Sequence, residues 1–312
     1  MTKSQNREAS APLRVRIGLT TRNRPEYLTK CLSSCLAQTY EPKEIVVWDD
    51  SDDPEVLKAT EEIKRQFPQV RWIHPTFRTT CNQARVQLMG EPGCDIFCSI
   101  DDDGWFMGHD ELERGVREIE RTPDCAGIAY DILSPDRPNP VTHGSPQPTM
   151  TFIGCGFMLR GWMLKEAGYY AEFPGWYGAE EKDLCIRFMD RGWTVSFLPG
   201  VHVWHDKTTK NRNWAELHRS GTLNDMIFGL VRTPFPDVLY YLPGKAVNLV
   251  AWGLKGTKRE RWSGMLGLWD FVRHAPEYWK KRQPVSRKTF REFFRSGRKC
   301  ADKPRDWDGK KR

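Results

Sequence analysis

The chain has 312 residues, of which 39% are hydrophobic and 29% charged, and this globular composition excludes a wholly disordered protein. No apolar run reaches the roughly 18 residues that a membrane-spanning helix needs, and residues 1–12 lack the apolar core of a signal peptide. The nine cysteines are scattered without the spacing of a four-ligand zinc site. We therefore expect reduced thiols in a cytoplasmic protein.

Charge is distributed unevenly along the chain. Residues 255–312 contain 19 Lys/Arg and 7 Asp/Glu, a net charge of +12, whereas residues 1–254 contain 29 and 34, a net charge of −5. A basic segment of this kind favours an anionic partner, either a membrane surface or a nucleic acid.

Predicted strands and helices alternate through the first 131 residues. A flexible segment over 1–12 precedes them. The predicted strands are 15–19, 44–48, 70–73, 95–100 and 126–131, and helices are predicted after Pro25 and over 54–66, 79–89 and 109–121. Repeated strand–helix units indicate a mostly parallel sheet. Right-handed crossovers bring the carboxyl ends of such strands to one edge, where ligands bind, so Thr20, Asp50 and Asp101–Asp103 are predicted to meet there.

The remainder of the chain divides into two parts. A proline-rich loop over 134–148, a buried strand over 152–160 beside a ligand space, a helix within 178–191, and strand segments over 193–198 and 201–205 complete the α/β domain. The rest is predicted to be helical, basic and rich in aromatic residues. The expected segments are a flexible lead-in over 1–12, an α/β domain over 13–220 and a C-terminal region over 221–312.

Two acidic clusters follow predicted strands. Asp101, Asp102 and Asp103 offer carboxylates suited to Mn²⁺ or Mg²⁺, and adjacent carboxylates raise each other's pKa unless a cation is near. The alternative is a solvated acidic turn. Asp50 could accept a hydrogen bond from the imide N–H of uracil or thymine, or it could belong to a turn or helix cap.

Three acids open the helix within 178–191. Glu180, Glu181 and Asp183 could include a general base that takes a proton from an attacking hydroxyl. Alternatively, these three acids only stabilise the helix, because negative charge interacts favourably with the positive end of the helix dipole. His205 ends an apolar strand and could be a metal ligand or a structural residue, and His202 is a close competitor.

Four segments occur together in the order and spacing of one enzyme family. They are residues 20–25 with 38–51, the acidic turn 101–103, the segment 178–187, and Val203-Trp204-His205. Over about residues 13–206 the chain resembles the family 2 glycosyltransferases. The resemblance implies a GT-A fold, which is an α/β fold with a Rossmann-like, mostly parallel sheet flanked by helices, here with a C-terminal helical extension. It implies an inverting, metal-dependent hexosyltransferase that uses a nucleoside diphosphate sugar. A carboxylate that accepts from an imide N–H is compatible with a UDP- or dTDP-linked donor and less so with a GDP-linked one.

The same resemblance assigns roles by position. Thr20, Arg22 and Asp50 would bind the nucleobase and ribose, and Asp101 and Asp102 would lie close to the ribose and diphosphate of the donor. Asp103 and His205 would meet Mn²⁺ or Mg²⁺. Glu181 would be the catalytic base, with Glu180 and Asp183 beside it, and the choice between Glu180 and Glu181 stays open. No Gln-x-x-Arg-Trp element follows Glu181, which favours a non-processive enzyme that adds one sugar to a lipid-linked or cell-surface glycan.

Other interpretations concern the C-terminal region and the reaction class. Trp252, Trp262, Trp269 and Trp279 lie among clustered Lys and Arg, which predicts peripheral association of 221–312 with the inner face of an anionic membrane. The alternative is a helical cap on the catalytic domain. A sugar-nucleotide-forming nucleotidyltransferase would need a glycine-rich loop after the first strand, where there is none. A non-catalytic nucleic-acid-binding protein is disfavoured by the acidic sheet edge, so we expect no nucleic acid partner.

Overall fold

The computed structural model describes residues 11–208, 213–255 and 258–301, without the side chains of 252–261 and 297–301. Most of the segment expected to be flexible, residues 1–10, lies outside the described residues. The end of the basic segment, 302–312, and the side chain of Trp252 lie outside them too.

Within the described ranges, strands and helices alternate as the sequence predicts. The strands are β1 (Val15–Thr21), β2 (Lys43–Asp49), β3 (Arg71–Ile73), β4 (Ile96–Asp101), β5 (Gly104–Phe106), β6 (Cys125–Leu133), β7 (Gln147–Pro148), β8 (Gly156–Arg160) and β9 (Thr194–His205). The helices are α1 (Pro25–Leu36), α2 (Pro54–Gln66), α3 (Cys81–Gly90), α4 (Glu111–Arg121), α5 (Gly161–Ala167), α6 (Glu180–Asp190), α7 (Trp214–Arg232), α8 (Val238–Lys255), α9 (Lys258–Lys280) and α10 (Arg287–Ala301).

One mixed sheet in the described chain has the order β3-β2-β1-β4-β8-β6-β9-β5, with β7 paired to β9. Strands β3, β2, β1 and β4 are parallel to one another, as are β6 and β9. Strand β8 runs antiparallel to both β4 and β6, and it therefore reverses the sheet direction in the middle. The expected architecture, a mostly parallel sheet flanked by helices, is confirmed.

Alternating side chains of the strands fill two separate cores. In β4, Ile96, Cys98 and Ile100 pack into one core and Phe97 into the other, because successive strand residues point to opposite faces. Helices α1, α2 and α4 cover the first core, and α3, α5 and α6 cover the second. Helix α1 begins at Pro25 and buries Leu28, Cys31, Leu32 and Cys35, at the spacing read from the sequence.

Some element boundaries differ from those expected. Strand β8 starts only at Gly156, because residues 153–156 form a tight turn in which the Gly156 N–H donates to the Ile153 carbonyl at 3.0 Å. The segments 193–198 and 201–205 form one strand, with a shift of register against β6. Strand β5 was not predicted.

The C-terminal region is helical, but the boundary expected at 220/221 lies inside α7. The helix begins at Trp214, where the polar composition of its first turns conceals it in the sequence. Phe228 of α7 and Phe290 and Phe293 of α10 belong to the second core, so this region is packed onto the α/β domain. Every helix in the described residues falls short of the length and apolarity that crossing a membrane requires.

Candidate active site

The carboxyl ends of β1, β2 and β4 lie side by side at one edge of the sheet. Thr20 at the end of β1 is opposite Trp48 on one neighbouring strand and Asp101 on the other. Asp50 follows β2 directly, and its backbone N–H donates to the Thr21 carbonyl at 3.0 Å. Three of the predicted polar segments are therefore brought to the same edge.

Asp102 is the most enclosed acid of the triplet. Its side chain is fully buried, and one oxygen accepts from Thr21 Oγ1 at 2.7 Å and from Arg24 Nε at 3.1 Å. The Arg24 Nη2 group pairs with the other oxygen. Burial raises the pKa of Asp102 to about 7, with a contribution from Asp103 and against the attraction of Arg24. Asp102 therefore holds α1 to the end of β4 through Arg24.

Asp101, Cys155 and His205 form a cluster of possible metal ligands. One ligand atom from each lies within 4.8 Å of the others. Nε2 of His205 is 3.9 Å from Asp101 Oδ2 and 3.4 Å from Asp103 Oδ1. Burial opposes the charge on His205, but Cys155 and the two carboxylates outweigh it and raise its pKa to about 11.

The chemistry of these donors favours a hard cation. Burial raises the pKa of the Cys155 thiol, which keeps it protonated and weak as a ligand. The remaining donors are carboxylate oxygens and an imidazole nitrogen, which suit Mn²⁺ or Mg²⁺. Nε2 of His205 is buried and has no hydrogen-bond partner among the described residues, and the negative surroundings that favour a proton on it would equally favour a metal cation in place of that proton. The residues present therefore fit a divalent cation.

Asp103 connects the acidic turn to the end of β9. Its side chain is buried, its Oδ2 accepts from the Thr208 backbone N–H at 3.1 Å, and Arg24 Nη1 is 3.6 Å away. Strand β5 pairs Gly104 with His205 and fixes the imidazole beside the triplet. His202 lies on the opposite face of β9, where its Nε2 is 3.3 Å from the Val141 carbonyl oxygen. The structure therefore separates His205 from its competitor.

Glu181 lies beside Arg85 in a gap left by Gly154. A Cβ on Gly154 would be 2.8 Å from Glu181 Oε1 and 3.1 Å from Arg85 Nη1, so a larger residue would collide with both side chains. The Arg85 guanidinium also pairs with Asp101. Burial, followed by the charge of Glu180, raises the pKa of Glu181 to about 8, although Arg85 opposes this shift. Arg85 thus links the acid at the start of α6 to the carboxylates of the acidic turn.

The two other acids of α6 have different surroundings. Glu180 is buried, and its Oε2 lacks a hydrogen-bond partner among the described residues. Asp183 is fully buried between two arginines: Arg187 Nε donates to it at 2.8 Å and Arg232 Nε at 2.6 Å. Both oxygens of Asp183 are therefore engaged by guanidinium groups, which joins α6 to α7 and fits a structural rather than a catalytic role.

Asp50 is positioned by the segment before α3. The Thr79 backbone N–H lies 3.1 and 3.3 Å from the two oxygens of Asp50. Thr79 Oγ1 in turn accepts from the Trp48 indole N–H at 3.0 Å. Arg22 lies 3.9 Å from Asp50 but donates to Asp52 at 2.7 Å, and Thr20 Oγ1 contacts Cys81 Sγ at 3.1 Å.

Three residues of this edge were not identified from the sequence. Arg24 precedes the helix predicted after Pro25 and Arg85 lies on a predicted helix, and only the fold shows that each meets a carboxylate of the triplet. Cys155 had one signal, because it lies between two glycines in the segment predicted to border a ligand space.

Comparisons with known proteins match part of the chain to a protein family. Residues 17–168 match the model of glycosyl transferase family 2. A comparison with curated protein sequences gives no significant match.

Solved structures show the same fold at low sequence identity. The mannosyltransferase PcManGT from Pyrobaculum calidifontis, in complex with GDP-Man and Mn²⁺, is 14% identical with a TM-score of 0.57, over 86% of this chain and 88% of that chain. S. aureus TarS 1–349, in complex with UDP-GlcNAc, is 14% identical with a TM-score of 0.61, over 85% and 82%. GalNAc-T7 with UDP, GalNAc and Mn²⁺ is 14% identical with a TM-score of 0.62, over 86% of this chain and 58% of that chain.

The structural similarity extends beyond the residues that match the family model and includes much of the helical region. The sequence match over 17–168, the sheet order and the acidic edge agree with one another. Residues 17–168 therefore form a glycosyl transferase family 2 domain, and the chain has the GT-A fold.

Proposed function

We propose that this glycosyltransferase moves one sugar from a UDP- or dTDP-linked donor to a hydroxyl acceptor, with inversion at the anomeric carbon. The observation that carries the proposal is the connection through Arg85, which touches Asp101 on one side and lies beside Glu181 on the other. Inverting transfer needs a group that stabilises the departing diphosphate and a base opposite it. The contacts of Arg85 bring candidates for both to one edge.

The donor would bind with its nucleobase at Asp50. Its carboxylate has lone pairs beyond those that face the Thr79 N–H, and it could accept the imide N–H of uracil or thymine. Thr20 and Arg22 lie at the same end of the sheet and would contact the base or ribose. Asp101 ends β4 on the side where the ribose and diphosphate would lie. Asp102, which follows it, is fully buried against Thr21 and Arg24, so it would support this side of the site without touching the donor.

The diphosphate would be bound with Mn²⁺ or Mg²⁺ held by Asp103 and His205, and Asp101 would be a further ligand. When bound, the cation neutralises charge on the departing diphosphate. Arg24 and Arg85 keep the three carboxylates in place by pairing with them. Two of the similar structures contain Mn²⁺, which supports this choice of metal.

Glu181 would be the general base. Burial disfavours its charged form, and a raised pKa makes the carboxylate a stronger proton acceptor near neutral pH. Arg85 would orient Glu181 toward the acceptor hydroxyl. Glu180 remains the alternative base, while the arginine pairs of Asp183 support a structural role for that residue.

The acceptor would be a lipid-linked or cell-surface glycan. The enzyme would bind it at the cytoplasmic face of a membrane and extend it by one sugar. The enzyme would act in polysaccharide biosynthesis and release the product after a single transfer.

A thermal-shift screen tests the donor and the metal together. UDP-, dTDP- and GDP-sugars are added with and without Mn²⁺, and UDP or dTDP compounds should raise the melting temperature more with Mn²⁺ than without it. Stabilisation by every nucleotide irrespective of metal, or by GDP compounds alone, would contradict the proposed donor site.

A further inference from the structure

Helix α9 packs one face tightly against α7. A Cβ on Gly267 would be 2.5 Å from the Arg219 carbonyl oxygen and 2.8 Å from Thr222 Cβ, so the two helices approach closely there. Arg219 Nη2 donates to Asp270 Oδ1 at 2.8 Å, and His218 Nδ1 lies 2.9 Å from Ser263 Oγ. These contacts fix the orientation of α9 and show which side faces the protein.

The opposite side of α9 is also apolar. Its large side chains are 44–64% exposed and recur at helical spacing, which places them on a single stripe, called here the outer α9 face. The residues of this face are Trp262, Met265, Leu266, Trp269, Val272 and Trp279. A helix that buries one apolar face and leaves a second one in water indicates a further covering surface.

Basic residues occupy the same stripe. Arg273 lies four residues after Trp269, Lys280 lies seven residues after Arg273, and both are exposed. The two acids of this part of α9 are already paired, Asp270 with Arg219 of α7 and Glu277 with Lys281, so Arg273 and Lys280 give the outer α9 face a positive charge. A covering surface must therefore supply both apolar area and negative charge. A second copy of the chain, paired about a two-fold axis, would bring the same positive charge to the contact.

We propose that the outer α9 face docks the protein peripherally on an anionic lipid bilayer. Tryptophans favour the head-group level of a bilayer, where the ring is partly buried and the indole N–H stays hydrated. Arg273 and Lys280 would meet the anionic head groups while α9 lies parallel to the surface. Membrane docking through the outer α9 face would not require the donor or the metal to be bound.

The packing of α7 connects the outer α9 face with the segment that leads into α6. Ser220 Oγ accepts from the Tyr177 backbone N–H at 2.9 Å, and Asn224 Oδ1 accepts from the Gly175 N–H at 2.7 Å. Helix α7 therefore lies between α9 and the segment that leads into α6. Docking through α9 would hold the start of α6, with Glu181, at a fixed height above the bilayer.

Vesicle sedimentation tests the proposal. The full chain is mixed at low salt with phosphatidylcholine vesicles, with or without phosphatidylglycerol. It should sediment with the anionic vesicles and be released by high salt. The triple variant Trp262→Gln/Trp269→Gln/Val272→Gln should bind at least about tenfold more weakly, because three inserted apolar side chains are lost.

Trp162→Gln is the matched control, since Trp162 is a similarly exposed tryptophan on α5, away from the stripe. It should bind vesicles as the unsubstituted chain does. Both proteins should keep the unsubstituted melting temperature. Failure of the unsubstituted chain to bind anionic vesicles overturns the proposal, as does equal binding by the triple variant. A dimer in solution that the triple variant alone dissociates, without vesicle binding, would instead assign the face to a second copy.

Discussion

Replacing Glu181 by glutamine removes the proposed proton acceptor while nearly preserving the shape of the side chain beside Arg85. A positioned general base contributes about 10²–10⁴ in rate. We therefore expect Glu181→Gln to lower kcat at least about a hundredfold. Donor affinity should change by less than about threefold, because the carboxylate would act on the acceptor and not on the nucleotide.

The raised pKa of Glu181 determines how the rate depends on pH. A general base must be deprotonated, so activity rises with pH until its pKa has been passed. With a pKa of about 8, roughly a tenth of Glu181 is deprotonated at pH 7 and about nine tenths at pH 9. We expect kcat/KM of the unsubstituted enzyme to rise about tenfold over this interval. The rise should be absent in Glu181→Gln.

Stability should change in the opposite direction. The pKa of Glu181 is raised by folding, so the folded state binds its proton more tightly than the unfolded state does, and stability falls as pH rises from about 4.5 to about 8. At pH 7 the raised pKa of Glu181 lowers the free energy of unfolding by on the order of 3 kcal/mol. Glu181→Gln removes that penalty, and its free energy of unfolding should exceed that of the unsubstituted enzyme increasingly across this range.

The assay measures release of nucleoside diphosphate with and without acceptor, donor affinity by calorimetry, and unfolding by urea titration at several pH values. Glu180→Gln is the matched control, with the same chemical change one residue earlier. It should retain most of the turnover, and its rise of activity with pH should shift to lower pH, because the charge of Glu180 contributes to the raised pKa of Glu181. A turnover of Glu181→Gln within about tenfold of the unsubstituted enzyme would refute the reasoning, and a hundredfold loss of turnover in Glu180→Gln alone would assign the base to Glu180.

Three further substitutions test the remaining assignments. Asp103→Ala should weaken Mn²⁺ binding measured by calorimetry in the absence of donor, and an unchanged titration would reject Asp103 as a ligand. Asp50→Asn should raise KM for the UDP- or dTDP-linked donor about tenfold or more, since a charged hydrogen bond is lost, with kcat nearly unchanged; an unaltered KM would exclude the nucleobase role. Asp183→Asn should lower the free energy of unfolding by about 3–5 kcal/mol, because Arg187 and Arg232 are left buried without their partner. A loss below about 1 kcal/mol in urea titration would show that this ion pair is not structural.

Local sequence patterns were sufficient to predict the α/β fold and the edge of the sheet. The strands that end at Thr20, Asp50 and Asp101–Asp103 are short apolar runs followed by polar residues, and chain direction alone brings such ends together. The same reasoning predicted a strand over 152–160 but not the direction of β8, which runs antiparallel between β4 and β6. Strand direction depends on where the preceding loop returns to the sheet, and this return is a tertiary property.

The sequence by itself determined which residue types the candidate site could use: carboxylates at the ends of strands, a histidine at the end of β9 and acids at the start of α6. Only the tertiary structure decided what each of them contacts. It enclosed Asp183 between two arginines from α6 and α7, separated His205 from His202 across β9, and brought Arg85 between Asp101 and Glu181. The physical reason is that a carboxylate's role depends on its burial and on the charges around it, and those neighbours come from distant parts of the chain.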